Sequence, residues 1–308
     1  MSDPLAVIAQ LPGVQEAVDE ARKAVDRLYR HRVLRRASPA VSAESALRGA
    51  RASAAIEGLD VPLDALRREE VTNPLVQGAL RASAELGRLG STWRRAPRQV
   101  LARLHAVAAI GLTPAEALGR PRGDFGGTAA AGSVSSAGDA SPVPPGGDFR
   151  ISQDFGPAEA LHDHAHSVDP RELGVDLDPL GLGPAPSPEE AAARMDGLVS
   201  LLETPTKAPA LVLAAIVHAE LAVIRPFGAA DGVVARAAER LTLVEYGLDP
   251  KSLVAVEVGH LELPYGDGLR AYLTGTPDGV AEWVRQCASA VTLGVRETTA
   301  ICEAMQRG

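Results

Sequence analysis

The chain has 308 residues and a formal net charge of −8; 46% of its residues are apolar, but only 3% are aromatic. That length fits one large domain or two modest ones. The acidic balance argues against a general nucleic-acid binder, which needs a cationic face to displace counterions. A core rich in Ala, Leu and Val with few aromatics suits packed helices better than a β-sandwich.

Read from the N-terminus, Met1-Ser2-Asp3-Pro4-Leu5 lacks the charged start and apolar core of a signal peptide. Val14, Ala17, Val18, Ala21, Val25, Leu28 and Tyr29 share a helical stripe, which predicts a helix from about Gly13 to Leu34. Arg30, His31, Arg32, Arg35 and Arg36 form a local basic cluster, read as a solvated helix face. Pro39 interrupts the pattern. A second helix is expected from Ser42, as N-cap, to Glu57, with Gly58 ending it. Further helices are expected over 64–70, 74–89 and 97–110.

The character then changes. Residues 122–148 hold Gly-Gly-Thr-Ala-Ala-Ala-Gly and Pro-Val-Pro-Pro-Gly-Gly, with little to build a core, and read as a flexible insertion. Residues 149–188 are also rich in Pro, Gly and Asp. His162, His164 and His166 alternate there and are read as part of a polar loop rather than a metal site. Order returns at Ser187, an N-cap followed by Pro188 at the first helical position and Glu190 three residues on. Helices are expected over 188–202, 208–223 and 232–246, the last ended by Gly247, and from Pro277 onward. Leu253 to Val258 hints at extended structure. Cys287 and Cys302 show no zinc-type spacing and read as reduced thiols. No apolar run is long enough to span a bilayer. The expectation is a soluble, cytoplasmic protein that is mainly α.

Between the helices over 208–223 and 232–246 lies Ile224-Arg225-Pro226-Phe227-Gly228-Ala229-Ala230-Asp231-Gly232-Val233-Val234-Ala235-Arg236. A turn that opens a helix offers unpaired N–H groups and a positive dipole end to an anion. This stretch resembles the motif of the Fic family, His-Pro-Phe-x-Asp/Glu-Gly-Asn-Gly-Arg-x-x-Arg. Pro226, Phe227, Gly232 and Arg236 match it. The run His218 to Ile224 resembles the family's lead-in, the helix after Ser187 sits where the family has one, and Tyr265 to Trp283 looks like its closing helices. Ser53-Ala54-Ala55-Ile56-Glu57-Gly58 matches the family's inhibitory-helix pattern, Ser/Thr-x-x-x-Glu-Gly/Asn. The resemblance covers roughly Ser42 to Glu297. It implies a Fic/fido-like helical bundle with a long flexible insertion and at most a small β-hairpin. Residues 1–41 would be an N-terminal extension, 42–121 the N-terminal part of the Fic-like domain, 122–187 the insertion and flap region, and 188–308 the core and C-terminal helices. Leu180-Gly181-Leu182-Gly183-Pro184 is the candidate remnant of the flap, which in the family aligns target proteins by strand pairing.

The resemblance implies transfer of AMP from ATP to a protein hydroxyl, with the motif His as base, the acidic residue on Mg²⁺, and the inhibitory Glu engaging the second Arg. Here the base position holds Arg225, and a guanidinium does not accept a proton near neutrality. The metal position holds Ala229, without an oxygen ligand. Ala230 replaces a glycine, Asp231 the Asn, and Val233 the first Arg. No Mg²⁺ is expected and no catalytic residue is assigned. Arg225, Asp231, Gly232 and Arg236 are the candidates for nucleotide or anion binding, and Ser53, Glu57 and Gly58 form the inhibitory-type helix. Asp231 is expected to cap the helix from Gly232, Arg225 to pair with Asp231 or with a partner's carboxylate, and Arg236 to pair with Glu57. The leading expectation is a pseudoenzyme acting as a binding or regulatory module for a protein partner. The alternative is a nucleotidyl- or glycosyl-type transferase with altered chemistry, whose base would be His218, Glu220 or a loop residue. A nucleic-acid-linked regulator using the Arg30–Arg36 cluster is the remaining reading.

Overall fold

The computed structural model describes residues 3–123 and 180–307. In chain order the helices are α1 (Pro4–Ala9), α2 (Val14–Tyr29), α3 (Leu34–Ile56), α4 (Leu63–Arg67), α5 (Pro74–Trp93), α6 (Pro97–Ala108), α7 (Pro188–Glu203), α8 (Ala210–Ile224), α9 (Asp231–Glu245), α10 (Val256–Glu262), α11 (Tyr265–Leu273) and α12 (Pro277–Arg307). Among the described residues a 3₁₀ turn covers Ala115–Ala117. Among the described residues there is no strand beyond an isolated bridge between Ile110 and Thr113. The mainly α expectation therefore holds. The flap remnant at Leu180–Pro184 is irregular backbone rather than part of a hairpin, with positive φ at Gly181 and Gly183. The histidines at 162, 164 and 166, and most of the expected insertion, lie outside the described residues.

Helix α8 is apolar all round, and of its fifteen residues only Glu220 escapes full burial. Such a helix belongs at the centre of a core, with other elements on every side. It packs on α9 most extensively, and on α7, α11, α12 and α1. Around that pair, α5 lies against α6, α3 and α9, α10 joins α3 to α12, and α2 covers α12. The low aromatic content shows in the contacts. Small residues let backbones meet: the Cα of Gly259 in α10 faces the Ala290 carbonyl of α12, and Gly78 in α5 faces that of Ala108 in α6. The two tryptophans are fully buried, and each satisfies its N–H, Trp93 on Thr242 Oγ1 (3.1 Å) and Trp283 on the Ala215 carbonyl (2.8 Å).

Several helix ends follow their local chemistry. Ser187 and Glu190 exchange side chain-to-backbone bonds at 3.2 and 3.0 Å, a complete capping box before Pro188. Gly58 has φ +88° just after α3, with Gly58 N–H on Ala55 O and Leu59 N–H on Ala54 O, the paired bonds of a Schellman end. Other expectations need correction. Ser42 is no N-cap: α3 begins at Leu34, bends at Ala37 (φ −119°, ψ 18°), and carries Pro39 in the turn after the bend, where a proline is tolerated. Ser42 Oγ instead donates to Ser252 O. Residues 253–258 are not extended. Buried Asp249 accepts from the Leu253 and Val254 amides (3.0 and 2.8 Å), and α10 starts two residues later. Helix α1 was not foreseen. Asp3 caps it, accepting from Leu5 and Ala6, and also accepts from Thr206 and Lys207 N–H.

A Cβ placed on Gly259 would lie 2.0 Å from Ala290 O and 2.6 Å from its Cα, both backbone, so neither neighbour yields easily. Gly259→Ala is expected to cost about 1–3 kcal/mol in urea unfolding, the range for overpacking. Gly197→Ala, on the exposed face of α7 with nothing within 4 Å of its Cβ, is expected to stabilise by about 0.5–1 kcal/mol.

Candidate functional site

The turn between α8 and α9 places every candidate motif residue. Helix α8 ends when Arg225 takes the left-handed conformation (φ 45°), and Gly228 (φ 82°) and Ala230 (φ 53°) repeat it before α9 begins at Asp231. Two of these three are not glycine, and each left-handed non-glycine residue stores on the order of 1 kcal/mol or more. The surrounding contacts hold the turn in that shape. Arg122 donates from its backbone to Pro226 O (2.7 Å), and from its guanidinium to Arg225 O (2.7 Å), Ile224 O (2.9 Å) and Pro186 O (3.1 Å). A cation thus sits on the last carbonyls of α8, where the helix dipole favours it. Placing Arg122 at the start of a flexible insertion is corrected: it is the clamp of the motif turn. Phe227 stacks on His105 at 4.2 Å between ring centroids, with the planes 6° apart. Burial holds His105 down at about 4, so its ring is neutral near neutrality.

Asp231 does not cap α9. Its carboxylate turns back into the preceding turn and accepts from Phe227 N–H (2.9 Å) and Gly228 N–H (2.7 Å). It is 7% exposed. Burial pushes its carboxyl up to about 7, against the two amides and the nearby Arg122, which favour the charged form. Arg225 does not reach Asp231. Its Nη2 donates to Gly183 O (2.6 Å), and its buried Nε has no hydrogen-bond partner among the described residues.

Arg236 lies on α9 with no exposed side-chain surface. It donates to Ser53 Oγ (2.9 Å), Ser53 O (2.9 Å) and Glu57 Oε1 (2.7 Å), with the Tyr265 hydroxyl at 3.4 Å. The expected Arg236–Glu57 pair therefore forms and joins α3 to α9. Gly232 makes room for it, since a Cβ there would stand 2.1 Å from Glu57 Oε1. A parallel buried pair, Arg240–Glu257, joins α9 to α10, with Arg240 also on Ser45 of α3.

Both helical base candidates are engaged in side-chain networks. His218 has no exposed surface, with Nδ1 2.8 Å from Glu239 Oε2 and Nε2 2.7 Å from the Tyr265 hydroxyl. Burial drives it down to about 4 despite the carboxylate beside it. Glu220 is held by a two-pronged bond from Arg194 (3.0 and 2.7 Å) and by the Tyr272 hydroxyl (2.6 Å). Arg30, Arg32, Arg35 and Arg36 are exposed, as a solvated face requires. Cys287 and Cys302 are buried free thiols. No described helix is long and apolar enough to cross a membrane. The sequence reading missed Arg122 as a site residue, and with it Glu239 and His260, which bracket His218.

Glu57→Gln keeps an acceptor but removes the charge facing a fully buried guanidinium. It is expected to cost about 1–3 kcal/mol by thermal or denaturant unfolding. For Asp231 the folded-state value lies above the ordinary 3.8. Its stabilising contribution is therefore complete below that value and is lost as pH rises through about 7. Asp231→Asn is expected to flatten the fall in melting temperature between those two limits.

The sequence matches no protein-family model and no curated protein. Among solved structures, the chain is similar to a Fic family protein from Desulfovibrio desulfuricans G20, with 19% identity and a TM-score of 0.63 over 94% of this chain and 75% of that one. It is also similar to Fic-1 from C. elegans, with 16% identity and a TM-score of 0.57 over 95% of this chain and 73% of that one. Together with the helix order and the placement of the α8–α9 turn, these similarities establish that the chain has the Fic fold.

Proposed function

We propose that this is a Fic-fold pseudoenzyme that does not transfer AMP from Mg²⁺-ATP and serves as a binding or regulatory module for a protein partner. One observation carries the reading: two N–H groups of the turn, those of Phe227 and Gly228, are already bound by the carboxyl of Asp231. Those donors are satisfied from within, and in its ionised form the carboxyl also repels an external anion. The other replacements point the same way. Arg225 stands at the base position and is bound to Gly183 O. Ala229 supplies no metal ligand, and Val233 no cation. Loss of a general base and of charge stabilisation each typically removes factors of about 10²–10⁴ in rate. The residual machinery is engaged internally, with Arg236 on Ser53 and Glu57 and the two spare base candidates tied up in side-chain networks.

Purified protein incubated with α-labelled ATP and Mg²⁺ is expected to show no label on itself or on added proteins, even as Glu57→Gly, which frees Arg236. Mg²⁺-ATP is expected to leave the melting temperature unchanged. Transfer of label by the Glu57→Gly chain would overturn the reading, because the released guanidinium would then be completing a working site.

A further inference from the structure

Beneath Arg236, four helices bring metal-ligating side chains to one point: His218 from α8, Glu239 from α9, His260 from α10 and Cys287 from α12. All four are buried, and one donor atom from each lies within 4.8 Å of the others. Glu239 Oε2 is the hub, 2.8 Å from His218 Nδ1 and 2.8 Å from His260 Nε2. We propose that this cluster is a structural site for one divalent transition-metal ion, with zinc the best fit, held by His218, Glu239, His260 and Cys287.

Three lines of physical chemistry support it. The donor set is two imidazoles, a carboxylate and a thiol, a borderline-soft mixture that suits zinc and not Mg²⁺ or Ca²⁺. Four protein donors close a tetrahedron, as structural rather than catalytic zinc sites do. With bonds of about 2.0–2.3 Å, neighbouring ligand atoms of a tetrahedron stand about 3.3–3.8 Å apart. The observed separations, from 2.8 Å to at most 4.8 Å, bracket that range, so small side-chain shifts suffice. Charge is the second line. A buried carboxylate needs compensation. The Arg236 guanidinium is committed to Glu57 and Ser53. A dication balances one carboxylate and one thiolate. The third is the surrounding shell. The Tyr265 hydroxyl holds the other nitrogen of His218, as outer partners of metal-bound histidines do. Trp283 lies edge-on to His218 and stacks with His260, closing the site with apolar surface.

Because the cluster is sealed, the ion enters during folding and leaves only on unfolding. The full chain, purified without chelator, is expected to carry about one equivalent of zinc by elemental analysis. Unfolded in chelator and refolded with Co²⁺, it is expected to show the intense visible bands of tetrahedral cobalt and a near-ultraviolet thiolate-to-cobalt band. Cys287→Ser is expected to lose the thiolate band, and Cys302→Ser to keep it. If Cys287→Ser fails to fold, the wild-type and Cys302→Ser spectra decide. Folded protein that contains no metal as purified and refolds identically with or without Zn²⁺ or Co²⁺ would overturn the proposal. It would leave a hydrogen-bonded His–Glu–His core in its place. Neither result depends on whether the chain transfers AMP.

Discussion

A guanidinium with no surface in water is the constraint around which this fold is arranged. Arg236 cannot give up its charge, so its donors must all meet acceptors inside the protein. The acceptors come from α3, as Ser53 and Glu57, and from Tyr265 at the start of α11. That requirement fixes where the end of α3 lies on α9, makes Gly232 necessary beneath the Glu57 carboxylate, and puts Tyr265 within reach of His218. Arg240 repeats the arrangement one turn later with Glu257, Ser45 and Ser252. Helix α9 thus carries two buried cations that tie α3 to the core, where a chain poor in aromatics has few large side chains to do so.

The α8–α9 turn shows a second internal closure. Arg122 covers the last carbonyls of α8, while Asp231 covers two amides within the turn itself, those of Phe227 and Gly228. Left-handed backbone at Arg225 and Ala230 is retained without glycine, which needs such contacts to hold it. The shape of the turn is held by contacts from within the protein.

Features governed by neighbours in sequence were legible before the structure. The Ser187–Glu190 capping box, the Gly58 helix end and the apolar run of α8 all follow from residues within a turn or two of each other. The Arg236–Glu57 pair was readable only because the resemblance to a family placed two distant motifs face to face. What remained hidden depended on helix crossings. Arg122 meets Arg225 across 103 positions of sequence. Glu239 stands 21 positions from both His218 and His260, on separate helices, a separation too long for any helical periodicity to mark. Asp231 was misread because an aspartate at a helix start can bond forward to its own helix or backward to the preceding loop. Residue type alone does not choose between them.

The four motif residues that survive each have an employer inside the molecule. Pro226 offers its carbonyl to Arg122, Phe227 stacks on His105, Gly232 clears space for Glu57, and Arg236 anchors α3. Selection for folding alone would keep Phe227, Gly232 and Arg236 in place with or without chemistry at the turn, whereas the carbonyl of Pro226 is one that any residue would offer. In chains of this kind, a partial motif match measures how much of the scaffold is still packed.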